Sequence, residues 1–520
     1  MKYLLNYYQE QNPEKFNDEF IYKKNKQDIV KIVSGICDAL EIINGVTFKT
    51  VEYITNESDP RFVKYREKDV NISRYNLLIL KFRIEGYSNK EKKTMIEDID
   101  LPILFPKLIN EFFFIHNGNR YYPIWQIADR DTYNVGIREK RSLVLKTLLL
   151  PIVLRFESIE YEVNDEFILK GKVFLLHLFN KKINFLYYFL NKFTIPECIE
   201  FLGMSDFFSV DPEPLEDRIP ITISKGIVIN VDQTSEKFRS QSSLNILCCF
   251  VDLLLEVKVK NYSNLINQDY WRRRLGGMFT KNTTNQVEKS LGIQISFERI
   301  LDTLTKNILK LPTEDKEDIY ALIRWMVRNY YELSIKDNMD LMNKRLRFHE
   351  YMVNPLLVKF SDATYRMLNN AIDKINTYEN LKSIFSNIRL NQIIRRLIKI
   401  ELLRYSNSVN SMDLFNSALK ASFKGPQSMV SRTTNQIGAR YRGLHPSYLD
   451  RISLTFASAG DPGMTVMFSP FLEIADELFF DDEIFQPKLL DVVSDDEFEN
   501  NEIEGYDDTN EEEDAEDGEE

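Results

Sequence analysis

The chain has 520 residues, 43% of them hydrophobic, with a formal net charge of −12; that length suits about three or four domains. No run of about 18 apolar residues occurs, so no membrane span is expected. Met1-Lys2-Tyr3-Leu4-Leu5-Asn6 leads into no apolar core with a cleavage site, so no secretory signal is expected either. Cys37, Cys198, Cys248 and Cys249 form no C-x-x-C pair, which points to a reducing cytoplasm without disulfides or structural zinc. His116, His177, His349 and His445 are far apart, and His177 lies in an apolar run as a satisfied core residue. The acidity is local. Residues 491–520 hold 17 of the 79 Asp and Glu and no Lys or Arg, which leaves 62 acids against 67 bases and a body near +5. Such a body is compatible with phosphate contacts.

In chain order, Asp28 to Ile43 repeats apolar residues at three-to-four spacing and predicts an amphipathic helix. Residues 75–87 read as a strand. Asp98 to Leu104 leads to Phe112-Phe113-Phe114-Ile115-His116, Asn117-Gly118 and Asn119-Arg120-Tyr121-Tyr122, in which Asn-Gly between apolar residues is a strong hairpin signal. Residues 130–290 are mixed. Val144 to Arg155 is an apolar run that Pro151 ends, and Lys170-Gly171-Lys172 reads as the turn of a hairpin between Phe167–Leu169 and Val173–Leu175. Asp211 to Asp217 contains two prolines and reads as a surface loop. Leu244 to Val257 predicts a strongly apolar helix. Arg272-Arg273-Arg274 then precedes Gly276-Gly277, either as a solvated helix end before a break or as a phosphate contact.

Residues 314–405 look mostly helical, with helices expected at Ile319–Tyr331, from Phe348 to about Ile372 and at Ile393–Leu403. Between the first two stands Asp337-Asn338-Met339-Asp340-Leu341-Met342-Asn343-Lys344-Arg345-Leu346-Arg347, which on its own reads as a solvated basic loop. Asn416 to Gly443 is polar and basic with Gly and Pro punctuation, and it reads as a loop. Next come His445-Pro446, Arg451-Ile452 five and six places after Pro446, and Gly460. From about Asp491 like charges predict disorder, as a solubilising or regulatory tail, with mimicry of DNA a lesser alternative.

Three of these stretches resemble, in the same order, the large β subunit of multisubunit RNA polymerases. Asn117-Gly118 and Arg120 match its N-terminal hairpin, and Asp337, Asn343, Lys344, Arg345, Leu346 and Arg347 match its D-x-D-H-x-G-N-[RK]-R-[ILV]-R segment. His445, Pro446, Arg451, Ile452 and Gly460 match its H-P-x-x-x-x-R-I-C-P-x-E-T-P-E-G segment. Phe456 and Ala459 depart from the two glutamates of that segment, and Ser453 from its cysteine. A chain that resembles only the N-terminal part of β looks like the split β subunits of jumbo bacteriophages. The resemblance implies an α+β multidomain fold: protrusion at 1–125 and 348–415, lobe at 126–335, fork at 336–347 and 416–490, and the disordered acidic tail at 491–520.

It also implies nucleic-acid contacts by Asn343, Lys344, Arg345, Arg347, Arg432, Arg440, Arg442, His445 and Arg451, and a role in walling the DNA cleft. No catalytic residue or cofactor is expected in this chain. The D-F-D-G-D motif that holds Mg²⁺ in the family lies on β′ and does not occur here, nor does a Walker A or G-x-S-x-G sequence. The implied partners are a C-terminal β fragment, β′ chains, template DNA and the RNA–DNA hybrid, with or without a promoter-specificity subunit, and no membrane. The implied location is the cytoplasm of the infected bacterium or the virion. A phage structural or DNA-packaging protein with a basic body is the rival reading.

Overall fold

A helix with apolar residues along one side must bury that side, and the first described element does so. α1 (Lys24–Ala39) places Ile29, Ile32, Val33, Ile36 and Cys37 in the core at three-and-four spacing. The computed structural model describes residues 24–40, 45–55, 58–61, 75–107, 113–135 and 142–347, less single positions and short gaps within them. Beyond these it describes 356–360 (less 357), 377–386, 402–405, 419–424, 444–453 (less 450) and 465–468. All fall in the compact unit Met1–Phe480.

α1 packs on an antiparallel sheet of β1 (Val46–Ile54), β2 (Tyr75–Ser88) and β3 (Lys93–Pro106). β2 and β3 pair without a break from Tyr75↔Pro106 to Ser88↔Lys93. Phe82 and Ile84 are buried while Arg83 and Glu85 are exposed, the period of two that a one-sided sheet requires. Charges on the solvent side are matched across strands. Asp98 lies 2.6 Å from Lys49 and 3.0 Å from Arg83, and Glu52 pairs with Lys81 and Arg61.

The expected hairpin is present as β4 (Phe114–His116) and β5 (Asn119–Pro123), with Gly118 at φ +80°, a left-handed position that favours glycine. β5 runs on through Ile124 into β6 (Trp125–Asp129). Next comes a five-stranded antiparallel sheet of β7 (Thr132–Val135), β8 (Ser142–Leu145), β9 (Ile152–Asn164), β10 (Phe167–Leu178) and β11 (Lys181–Asn184). The order β11-β10-β9-β8-β7 is followed in sequence by a small sheet of β12 (Phe208–Asp211), β13 (Ile219–Ser224) and β14 (Ile227–Val231), ordered β12-β14-β13. α2 (Gln241–Val257) buries Ile246, Leu247, Phe250, Val251, Leu253 and Leu254.

Two glycine readings are corrected. Lys170-Gly171-Lys172 is not a turn: Gly171 lies inside β10, opposite Ile159 of β9. A Cβ on Gly171 would stand 2.5 Å from Cys248 Sγ and 3.2 Å from Asn245 Oδ1, so the glycine lets α2 approach the sheet. Asn245 Oδ1 also accepts from Lys172 N at 2.8 Å. Gly276-Gly277 is not a break either, because α3 (Gln268–Phe279) runs through both. A Cβ on Gly276 would meet the carbonyl oxygen of Gln286, the first residue of α4 (Gln286–Glu298), at 1.9 Å. Since that atom is backbone, Gly276→Ala lowers stability by about 1–3 kcal/mol, measurable by thermal unfolding; an unchanged midpoint would mean the helices separate freely. Of the three arginines, Arg272 binds Asp269 at 3.2 Å, Arg274 lies against the Tyr270 ring, and Arg273 is exposed.

His177 is half-buried rather than a satisfied core residue. Its Nε2 has no hydrogen-bond partner among the described residues, and burial with nearby Lys182 and Arg155 holds its pKa down. The four cysteines are buried free thiols.

α5 (Ile319–Arg328) and α6 (Tyr330–Ile335) follow, α5 opening on Asp318, whose side chain accepts from Ala321 N. The remaining described elements are β15 (Lys344–Arg347), α7 (Tyr378–Ser386), β16 (Leu403–Tyr405), β17 (Lys420–Ser422) and β18 (Thr465–Met467). α7 buries Leu381 and Phe385 against β2, with Phe385 5.0 Å from Phe82. Of the helix expected at Phe348–Ile372, Leu356 and Val358–Phe360 are helical and the rest lies outside the described residues. Positions 393–401 also lie outside them, and Leu403 opens a strand instead of closing a helix. The expected loop Asn416–Gly443 contains β17, whose small Ala421 and Ser422 fit beside Trp125 and Gln126 without forming an apolar run. Positions 425–443 and the acidic tail lie outside the described residues.

Candidate functional site

β6 joins the first two sequence motifs, and the third is tied to the second. One end of β6 continues from the Asn117-Gly118 hairpin; one edge pairs with β15 and the other with β17. β15 is antiparallel to β6, with Lys344 opposite Asp129 and Arg347 opposite Gln126, while β17 is parallel to it. β18 completes the sheet, and Ile452 bridges to Phe468 just beyond it. Flanked on both edges, Trp125–Ala128 are buried. The chain leaves β6 at Arg130 and returns at Asn343, where Arg130 N donates to Asn343 O at 3.0 Å and Arg130 Nη1 to Met342 O at 3.3 Å. Residues 130–343 thus leave and return through one two-stranded neck.

The neck carries a buried ion pair. Lys344 Nζ bonds Asp129 Oδ1, with side-chain exposures of 4% and 6%. Arg347, also buried, donates to Gln126 Oε1 at 3.3 Å. Beside them Lys146, which follows β8, has a buried Nζ without a hydrogen-bond partner among the described residues, 4.6 Å from the centre of the Tyr133 ring. Burial pushes the Lys146 amine down to about 8; Arg347, Lys344 and Arg345 add to the effect, and the Asp129 carboxylate opposes it.

The third motif is tied to the second by side chain and backbone. His445 caps the 3₁₀ turn Pro446–Tyr448: Ser447 N donates to His445 Nδ1 at 3.2 Å, and Ser447 Oγ lies 2.7 Å from the same nitrogen. His445 Nε2 lies 3.7 Å from Asp337 Oδ2. Ser447 Oγ accepts from the buried Leu341 N at 3.0 Å across 106 residues, and Arg451 donates to Ser447 O at 3.3 Å. Asn343 Nδ2 closes the other turn on Asp337 O at 2.9 Å. Ser447→Ala leaves Leu341 N buried without its partner and costs about 1–3 kcal/mol. Denaturant unfolding measures that loss, and a variant as stable as the parent would remove Ser447 from the junction.

The same junction grips both ends of the basic segment 425–443. Phe423 follows β17 and stacks on Tyr448 with ring centroids 6.1 Å apart at 27°, and Lys424 N donates to Ser422 Oγ at 3.2 Å. The segment returns at Leu444, next to the His445 cap.

The nine expected nucleic-acid residues divide accordingly. Arg432, Arg440 and Arg442 lie outside the described residues. Asn343, Arg345 and His445 are half-buried. Lys344 and Arg347 are buried, which corrects the reading of 337–347 as a solvated basic loop: three apart on β15, they lie on opposite faces of the strand and both are covered. Arg451 is buried as well. Asp129, Lys146 and Ser447 went unnoticed. Asp129 pairs with a lysine 215 positions away, which no local pattern signals. Among the described residues no three His, Cys, Asp or Glu could hold a metal ion, and no helix is long and apolar enough to cross a membrane. As built, the site is a rigid junction with a basic segment attached at two points.

A model of the family "non-virion RNA polymerase subunit" matches residues 3–494. No curated protein matches the chain.

Proposed function

The chain belongs to the family of non-virion RNA polymerase subunits, and on that premise we propose that it is the N-terminal β-like part of a split β subunit in a phage multisubunit RNA polymerase. In this reading it walls the DNA cleft and contacts template DNA and the RNA–DNA hybrid through 425–443. The contacts among the three β-like motifs carry the reading: the first runs into β6, the second pairs with β6, and the third is bonded to the second at Leu341–Ser447, though residues near 120, 345 and 450 have no local reason to meet. The protrusion, lobe and fork divisions belong to the same proposal. Residues 126–335, which the chain enters and leaves through the β6–β15 neck, correspond to the inserted lobe. Residues 336–347 and 416–490 correspond to the fork.

Loops that carry function work best when a rigid scaffold holds their ends. Here Arg432, Arg440 and Arg442 supply phosphate contacts from a segment whose described flanks, Phe423 and His445, sit in the junction, and Arg345 of β15 adds to them. Lys344, Arg347 and Arg451 hold the scaffold. Mg²⁺ belongs to other chains in this reading, and no step of nucleotidyl transfer runs through this one. The partners are a C-terminal β fragment and β′ chains, with or without a promoter-specificity subunit. The family's description, non-virion, favours the cytoplasm of the infected bacterium over packaging in the virion, and a polymerase over a DNA-packaging protein.

Replacing Arg440 and Arg442 together with alanine tests the assignment. The expected variant assembles with its partners but forms open complexes or elongates several-fold less well. Normal transcription by the assembled variant would remove the basic segment from the cleft.

A further inference from the structure

The β2–β3 hairpin ends in a turn, Asn89-Lys90-Glu91-Lys92, between the paired Ser88 and Lys93. Along the body of this sheet, basic side chains meet carboxylates: Lys49 and Arg83 meet Asp98, Lys81 and Arg61 meet Glu52, and Lys382 of α7 meets Glu97 at 2.7 Å. At the tip the matching stops. Glu91 pairs with Lys93 at 2.9 Å, but Lys90 and Lys92, both exposed, have no carboxylate within ion-pair distance among the described residues.

The turn is also held firmly. Ser88 Oγ donates to Glu379 Oε1 at 2.6 Å and accepts from Glu91 N at 3.2 Å, while Lys90 N donates to Glu379 at 3.5 Å. Tyr87 bridges Thr377, just before α7. Lys92 sits at φ +54°, in the left-handed region where any side chain with a Cβ is disfavoured and glycine is not. Phe179 and Lys258 share that conformation, so the strained backbone does not by itself explain the lysine; what the bracing does is fix where its charge stands.

We propose that this tip, through Lys90 and Lys92, is a second nucleic-acid contact that grips the phosphate backbone of duplex DNA independently of base sequence. The proposal rests on the polymerase reading above. Lysine suits the task as a mobile point charge that follows a phosphate without fixing base identity. An acidic segment of another subunit is the competing occupant, and the test separates the two.

The experiment uses the assembled polymerase and promoter-free duplex DNA, with affinity measured over a range of salt concentrations. Each lost phosphate contact lowers the slope of log affinity against log salt by about 0.9. K90A/K92A is expected to lower the slope by about two and to leave subunit composition unchanged. K92G, which relieves the left-handed backbone, is expected to lower it by about one while the thermal midpoint holds or rises, so misfolding cannot explain the loss. An unchanged slope in both variants overturns the proposal. Loss of a partner subunit with the slope intact overturns it in favour of protein docking. R440A/R442A in the same assay lowers the slope whatever the tip does, so failure of the tip and failure of the polymerase reading are distinguishable.

Discussion

Asp129→Ala lowers the stability of the folded chain by about 3–5 kcal/mol, the usual cost of removing one partner from a buried ion pair. The substitution leaves the Lys344 ammonium, 4% exposed, without its carboxylate, in a neighbourhood where Lys146, Arg345 and Arg347 also carry positive charge. Chemical denaturation at neutral pH measures the loss. The double variant D129A/K344M recovers most of it, because replacing a whole buried pair with apolar groups is far cheaper than splitting one. A D129A variant within about 1 kcal/mol of the parent would show that water reaches the pair and that the neck is held by backbone pairing alone.

Lys146→Met acts in the opposite direction. A drop from 10.5 to about 8 corresponds to about 3 kcal/mol of penalty on the charged amine. The sign follows from proton binding. Between about pH 8 and 10.5 the unfolded chain holds a proton on Lys146 that the folded chain has released, so stability rises with pH through that window. Below about pH 8 both states are protonated and the folded state bears the full penalty. Methionine keeps the apolar stem and removes the charge, so K146M is more stable than the parent by up to about 3 kcal/mol at pH 7. The difference shrinks as pH approaches 10. Denaturant titrations at pH 7 and 10 check both statements; equal stabilities at pH 7, or a gap that ignores pH, would mean that the amine has found a partner.

Elements with strong local periodicity were legible in the sequence. α1, β2, the Asn117-Gly118 hairpin and α2 each announce themselves by spacing or turn chemistry. Failures came where tertiary contact outweighed local signal. Gly171 and Gly276 look like punctuation, yet both are places where another element comes too close for a Cβ. Residues 344–347 look like a solvated basic run, yet pairing with β6 buries Lys344 and Arg347 against partners that lie more than 200 positions earlier. β17 has too few apolar side chains to be seen at all. The second and third motifs, far apart in sequence, are in contact in the fold. What the sequence could not show is that His445, Ser447 and Arg451 brace the junction.

That division of labour bears on Phe456 and Ala459, which stand where the β-like motif has glutamates and which lie outside the described residues. In the proposed β-like reading, the residues that hold the junction match the motif and these two do not.

Gentle purification of the tagged chain from infected cells, followed by mass spectrometry and a transcription assay on the same fraction, tests the polymerase assignment most directly. The expected result is a defined complex that polymerises ribonucleotides on DNA and contains separate chains, one carrying the rest of β and another the D-F-D-G-D motif. Recovery of the chain alone, as a monomer or homo-oligomer with no polymerase partner, would contradict it.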